Sequence, residues 1–428
     1  MRITVIAIGS QGDVQPFAAL GAGLARAGFT VRLASHESFR DLASAGGLEF
    51  APITGNPRDI VQGEQGQAWL QSSDNFLLFM KQVSKIAKGM IGQLSSDMLE
   101  GSKGSDALIY SIPLAVSGYS TAEALGIPGI PASLYPLHPS SAFPSIMTPT
   151  LPINWGPVNR LSGASVAELF WLIVRPLLAT RARTEAGLGR LPFRIPLKAW
   201  ERQSLPFLYG YSPAVIPRPA DWGKSQVVCG YWFGERKDEW TAPPELLKFI
   251  SSGPAPLYVG FGSMASGDST GLTKSVLEAV RRTGQRAIIS SGWGGLKTES
   301  LPLYVFPVGH VPHDWLFPRV SMAVHHGGAG TTAAVLRAGI PSIVVPFFAD
   351  QFFWGHLLHA RGLGAPPIPH KKLSADSLEQ RIRAVLAGKG IRERCAALAG
   401  KITTEDGVGA AVTAVESYLR STTFKTTH

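Results

Sequence analysis

Met322-Ala323-Val324-His325-His326-Gly327-Gly328-Ala329-Gly330-Thr331-Thr332 is a short apolar run that turns glycine-rich and then becomes helix-compatible. The order predicts strand, turn and helix. Glycines let backbone approach a ligand closely, and the first turn of the helix offers unpaired N–H groups and the positive end of its dipole. Thr331 and Thr332 add hydroxyl donors, and His326 adds a hydrogen bond or a positive charge, so phosphate is the simplest ligand. The stretch is not a Walker loop, since Gly-Lys-Ser/Thr is missing, nor the dinucleotide fingerprint with its three spaced glycines. A structural reading fits the same residues equally well: a tight turn with a buried histidine and two capping threonines.

Working outward, the same alternation recurs through the second half of the chain. Strand signals at Leu257 to Met264, Ala287 to Ser290, Leu303 to Phe306 and Ser342 to Pro346 are separated by helical spacing and glycine loops. These strands end in glycine, hydroxyl, aromatic or carboxylate residues, as at Ser291-Gly292-Trp293-Gly294-Gly295 and Phe347-Phe348-Ala349-Asp350-Gln351, which suits a nucleotide-binding edge. The first half starts in the same way. Arg2 to Ile8 reads as a strand ending at Gly9-Ser10-Gln11-Gly12-Asp13, followed by helical spacing of Phe17, Leu20, Leu24 and Ala27. Strands near 30–34, 49–52, 107–110 and 127–134 follow, so the expected fold class is α/β, with parallel sheets covered by helices on both faces. Asp13 has two readings here: a helix N-cap, or a carboxylate at a strand end placed to accept a proton.

With 428 residues and 45% apolar composition, two domains are expected. Net charge is +10, but only 16% of residues are charged and there is no long Lys/Arg run. That balance suits anionic small ligands or an anionic membrane surface and argues against nucleic acid. Only Cys229 and Cys395 occur, without metal-ligand spacing, so a reducing, cytoplasmic setting and no metal site are expected. No run of 18 apolar residues suggests a membrane span, and the first residues read as a strand. The apolar helix expected over Ser165 to Leu188, kinked near Pro176, has three readings: core packing, a wall for a lipophilic substrate, or peripheral membrane contact with Arg175 and Arg181 at headgroup level. The three prolines of Tyr211 to Pro219 mark an interdomain linker.

Six motifs, in order, resemble those of the nucleotide-sugar glycosyltransferases of the UDP-glucuronosyltransferase type, and look most like the sterol 3β-glucosyltransferase branch. They are Ile8 to Pro16, Gly55-Asn56-Pro57, Tyr258 to Ser263, Val311 to Leu316, the opening stretch, and Pro346 to Phe353. The resemblance implies the GT-B fold, two Rossmann-like doubly wound domains facing a cleft. It divides the chain into an acceptor-binding domain at 1–212, a linker at 213–225, a donor-binding domain at 226–405, a C-terminal helix at 406–420 expected to pack back on the first domain, and a disordered tail at 421–428. It implies that Asp13 is the general base and that His326, Gly327, Gly328, Gly330, Thr331 and Thr332 contact the donor phosphates. Asp350 and Gln351 resemble the pair that holds the sugar hydroxyls, Ser263 the serine near the diphosphate, and His313 a contact to the base. His310 and Ala334 replace the Trp and Glu that plant enzymes use on the base and ribose, which leaves Trp293 or Phe261 as the candidate apolar contact for the nucleoside.

The implied reaction is inverting transfer of a hexose, glucose by resemblance, from a UDP-sugar co-substrate to a hydroxyl of a lipophilic acceptor such as a sterol, triterpenoid or polyketide. No cofactor or metal is implied. Phe76, Leu77, Phe79 and Met80, the loop from Tyr135 to Met147 and the run from Leu169 to Ile173 are candidates for an apolar acceptor slot, each with an alternative reading as core. Two other functions fit the motifs: a nucleotide-sugar binding protein without catalysis, and a dTDP-deoxysugar transferase acting on an antibiotic aglycone.

Overall fold

Short β-branched and aliphatic runs build two all-parallel sheets. The computed structural model describes residues 1–55, 91–112, 116–146, 155–178, 187–195, 204–234, 240–262, 269–290 and 301–423, with a few isolated positions between them. In the first sheet β1 (Arg2–Ile6), β2 (Thr30–His36), β3 (Glu49–Ile53), β4 (Ala107–Ser111), β5 (Gly129–Ser133), β6 (Phe207–Tyr209) and β7 (Gln226–Val228) lie in the order β3-β2-β1-β4-β5-β6-β7. Helices α1 (Gln11–Arg26), α2 (Arg40–Ala45), α3 (Gly118–Leu125) and α4 (Gly156–Leu178) belong to this unit. The chain builds outward from β1 to β3 and then returns to place β4 on the other side of β1. The order therefore reverses between β1 and β4, and ligands of open α/β sheets bind outside the strand ends at such a reversal.

The second unit repeats the plan. After α5 (Pro244–Ser251) come β8 (Leu257–Gly260), α6 (Ser269–Arg282), β9 (Ala287–Ser290), β10 (Val305–Val308), α7 (His313–Leu316), β11 (Ala323–His325), α8 (Ala329–Ala338), β12 (Ser342–Val344), α9 (Asp350–Ala360), α10 (Ala375–Ala387) and α11 (Ile391–Thr403). The sheet order is β10-β9-β8-β11-β12, so its reversal lies between β8 and β11. Neighbouring strand residues face opposite sides and both are buried. Val259, Ile289 and Val324 pack into one layer with α6 and α10, whereas Tyr258, Ile288 and Ala323 pack into the other with Val335 of α8. A parallel sheet covered on both faces has this near-continuous apolar character.

Four features differ from the sequence expectation. Residues 213–225, read as a linker, lie within the first unit. Val215 and Ile216 are buried, and Trp222 stacks on Tyr209 at 4.8 Å. The prolines lie in a crossover anchored by these buried side chains, after which β7 pairs in parallel with β6, so strand residues 226–228 extend the first sheet. Helix α4 starts at Gly156 and has Pro176 in its last turn, since the Pro157 that follows Gly156 is tolerated in a first turn. The terminal helix α12 (Gly407–Thr423) runs into the stretch expected to be disordered; 424–428 lie outside the described residues.

Helix α12 belongs to the first unit and packs along α1. The contact depends on a missing side chain, because a Cβ on Gly23 would come within 2.2 Å of Val408 Cγ1 and 3.5 Å of Val412 Cγ2. Gly23→Leu is therefore expected to force the two helices apart and to lower stability by ~1–3 kcal/mol, the usual cost of overpacking. Thermal denaturation followed by circular dichroism measures it, and an unchanged midpoint would show that α12 does not need this contact.

Candidate active site

In the second unit the opening stretch folds as strand, turn and helix. His325, the last residue of β11, is fully buried, and the Gly327 N–H donates to its Nδ1 at 3.2 Å. Its Nε2 faces Ser342 Oγ at 3.4 Å on the neighbouring strand β12. An accepting Nδ1 requires the neutral Nε2–H tautomer, and burial enforces neutrality by pulling the pKa down to about 3. Gly327 has φ +89, and a Cβ there would meet Val344 Cγ1 at 2.7 Å and the Gln351 carbonyl oxygen at 3.1 Å. The turn thus presses against the start of α9. Sequence reading gave no separate role to His325; the signal was its place at the junction of strand and glycine turn.

Gly328 is the N-cap of α8, and the first helical bond runs from Thr332 N–H to the Gly328 carbonyl at 2.9 Å. The N–H groups of Ala329, Gly330 and Thr331 precede that ladder and carry the positive end of the helix dipole. Among the described residues, the fully buried Thr332 Oγ1 and the buried Nδ1 of His326 have no hydrogen-bond partner. The imidazole of His326 lies against Gly262, in the loop after β8, where a Cβ would come within 3.0 Å of its Cε1. The loops at the carboxyl ends of β8 and β11 therefore touch at the reversal of the sheet.

Of the two roles open to His326, a hydrogen bond or a positive charge, burial favours the first. Burial, with the neighbouring His313 adding to it, pulls its pKa down to about 4, so the ring is neutral near pH 7 and acts through hydrogen bonding. His313 begins α7 and stacks on Phe317 at 4.3 Å, with Tyr258 edge-on at 6.0 Å. Its pKa falls to about 4, first through burial and then through His310. Asp350 and Gln351 open α9, directly after Ala349, which holds φ +50 without being glycine. A backbone in this sparsely populated region costs ~1–3 kcal/mol and is characteristic of functional turns. The Gln351 side-chain oxygen accepts the N–H groups of Phe347 at 2.8 Å and Phe348 at 3.3 Å, so it holds the loop; Asp350 Oδ2 accepts from Trp354 Nε1 at 3.1 Å. One half-site thus gathers Gly262, His313, His326 to Thr332, Asp350 and Gln351. Ser263 and Trp293 lie outside the described residues.

In the first unit the N-cap of α1 is Ser10, and Asp13 is at the third helical position. Asp13 Oδ2 accepts from both the Ser10 N–H and the Ser10 hydroxyl at 2.8 Å. Oδ1 receives no donor among the described residues. Gly9, at φ +129, makes room, because a Cβ there would come within 2.6 Å of Oδ2. Burial raises the Asp13 pKa above its ordinary value, opposed by the two Ser10 bonds. This carboxylate stands at the reversal between β1 and β4.

An apolar pocket, open to solvent, lies in the same unit. The loop after β5 and Ile112 at the end of β4 form part of its wall, and Val166, Ala167, Phe170 and Trp171 of α4 form another part. The two stretches from 135 to 147 and from 169 to 173, expected to line a slot, thus both contribute; Phe76, Leu77, Phe79 and Met80 lie outside the described residues. Among the described residues no group of three His, Cys, Asp or Glu could hold a metal ion, and no helix is long and apolar enough to cross a membrane.

Residues 3–144 match the glycosyltransferase family 28 N-terminal domain, and residues 275–411 match the erythromycin biosynthesis protein CIII-like C-terminal domain. A sterol 3-beta-glucosyltransferase of Arabidopsis thaliana is 36% identical over 424 residues, covering 98% of this chain and 68% of the relative. A second from the same plant is 35% identical over 98% of this chain and 66% of its own length. The sterol 3-beta-glucosyltransferase of Aspergillus clavatus is 35% identical over 97% of this chain; the chain spans 29% of that larger protein. Among solved structures, the glycotransferase of kitacinnamycin superposes with a TM-score of 0.69 at 19% identity, over 98% of this chain and 99% of that one. The Streptomyces glycosyltransferase SsfS6 complexed with thymidine diphosphate gives 0.63 at 20% identity, over 97% and 99%. The chain belongs to the glycosyltransferase family that contains the sterol 3-beta-glucosyltransferases, and it has the GT-B fold.

Proposed function

We propose that the protein is an inverting glycosyltransferase that moves a hexose from a nucleoside diphosphate sugar, UDP-glucose in the first instance, to a hydroxyl of a lipophilic acceptor. The observation that carries this reading is Asp13. A purely structural capping carboxylate needs no raised proton affinity, yet Asp13 has one at the carboxyl end of its sheet, and its Oδ1 meets no donor among the described residues. In the proposed reaction Oδ1 accepts the acceptor's hydroxyl proton as the oxygen attacks the anomeric carbon, a contribution typically worth ~10²–10⁴-fold.

The bond to the leaving diphosphate breaks as the new bond forms, so negative charge grows on the β-phosphate. The N–H groups of Ala329 to Thr331, the hydroxyls of Thr331 and Thr332 and neutral His326 are the groups proposed to receive it. Preorganised donors of this kind need no reorientation as charge develops, and loss of one costs on the order of 10²–10³-fold in comparable sites. Asp350, Gln351 and His313 are proposed to hold the sugar and the base, together with Ser263 and Trp293.

The cavity is proposed to take the acceptor. Positions 163, 166, 167, 170 and 171 of α4 fall within an arc of about 140°, facing the cavity. On the opposite face Leu161 and Leu172 are exposed, and Arg175 stacks over exposed Phe193 at 5.1 Å. An apolar, arginine-bearing face outside a lipophilic pocket favours peripheral contact with an anionic bilayer surface from which such acceptors are drawn.

Three outcomes are expected. Asp13→Ala abolishes transfer from UDP-glucose while leaving UDP affinity within about twofold, whereas His326→Ala weakens both; UDP release and isothermal titration calorimetry separate them. Equal loss of UDP affinity in the two variants contradicts the roles. Titrating UDP into wild type in buffers of different ionisation enthalpy should show proton uptake, because a phosphate beside His326 raises its pKa toward neutrality. Finally, a raised folded-state pKa at Asp13 means that the folded protein holds the proton more tightly, so stability is lost as pH rises from 3.8 through the folded pKa. Asp13→Asn removes that loss and should melt higher than wild type at pH 8, with the difference vanishing toward pH 3; a lower midpoint at pH 8 contradicts the burial argument.

A further inference from the structure

The cavity beside β4 is walled largely by carbon, but one imidazole is set into it. His138 lines the cavity at 8% exposure, with Phe207 edge-on at 4.6 Å and Tyr209 and Trp222 both at 5.9 Å. Tyr209 fixes which way this ring is polarised. Its phenol oxygen accepts the backbone N–H of His138 at 3.1 Å and of Leu137 at 3.4 Å, so its own proton goes to His138 Nδ1, 2.5 Å away. An accepting Nδ1 leaves the ring proton on Nε2. Burial keeps the imidazole neutral, with its pKa pulled down to about 3, so this tautomer holds across the physiological range.

Nε2 has no protein partner among the described residues, and it is not one of the fully enclosed atoms that lack one. The neighbouring Ser140 hydroxyl is engaged elsewhere: it donates to Asp221 Oδ1 at 2.9 Å and accepts the Ala142 N–H at 3.0 Å. A single N–H donor with a fixed direction therefore stands in an apolar wall, and the residue behind it determines that it donates.

We propose that the acceptor is a fused-ring alcohol with a second oxygen, a carbonyl or ether, and that His138 Nε2–H donates to that oxygen. The proposal rests on the reading that this cavity holds the acceptor. His138 is thereby a specificity residue, and Tyr209 is a positioning residue that acts through it. A skeleton lacking the second oxygen leaves the N–H unmet after desolvation, which corresponds to a preference on the order of 10- to 100-fold.

Equilibrium dialysis with androst-5-en-3β-ol and its 7-, 16- and 17-ketones tests this on the full chain without needing a sugar donor. Wild type should bind at least one ketone 10-fold or more tighter than the parent alcohol. His138→Phe should bring the ketone down to the alcohol's affinity while sparing the alcohol, and His138→Gln, which restores an N–H, should recover part of the ratio. Tyr209→Phe should erode the ratio as well, since Nδ1 is then free to carry the proton. Ala167→Phe fills the cavity from α4 and should weaken all four ligands. Loss of all binding in Ala167→Phe, with an unchanged ketone ratio in folded His138→Phe, overturns the role of His138 and leaves the cavity as the acceptor site. Unchanged binding in Ala167→Phe overturns the cavity reading itself. Equal affinity of wild type for the alcohol and every ketone, or affinity for none, overturns the proposed acceptor class.

Discussion

The bond from the Gly327 N–H to Nδ1 of His325 is the contact on which the second half-site depends. It closes the turn between β11 and α8 inside the core, where Gly327 presses on Val344 and the start of α9. A protonated imidazole could not accept that bond, so the turn requires the neutrality that burial enforces. With the turn fixed, His326 is held against Gly262 and the first N–H groups of α8 are left ahead of the helical ladder. Donors presented by backbone and core in this way have little freedom to lose when an anion arrives.

The first unit solves a related problem with a carboxylate. Ser10 binds one oxygen of Asp13 through two hydrogen bonds, and this fixes the side chain without neutralising it. Burial then keeps the group a better proton acceptor than a solvated aspartate, because the local bonds that favour the charged form do not outweigh desolvation. Ser10 thus orients the carboxylate through one oxygen, while the other meets no donor among the described residues.

Much of this was legible in the residues, and the rest was hidden for physical reasons. The strands around both glycine loops were readable because buried parallel strands are short, continuous apolar runs bounded by glycine. β6 and β7 were not, since the prolines between them suggested a link between domains. Asp13 appeared as a cap competing with a base, and the structure shows why both readings were available: Ser10 and Asp13 share the capping geometry, with one oxygen left over. The charge at His326 and the loop-holding role of the Gln351 oxygen were out of reach, because both follow from burial and from backbone N–H groups that only the folded loop brings together. His138 left no local signal either; its partner Tyr209 is far along the chain.

The return of α12 to the first unit also bears on how the protein is made. β1 and α1 precede the whole second unit in the chain, so the groove along Gly23 receives its covering helix only after every strand of that unit has been translated. At ribosomal speeds of about 5–20 residues per second, that leaves the apolar edge of α1 uncovered for tens of seconds. A chain interrupted within residues 405–423 would carry a complete second sheet and an open groove along α1 on the first.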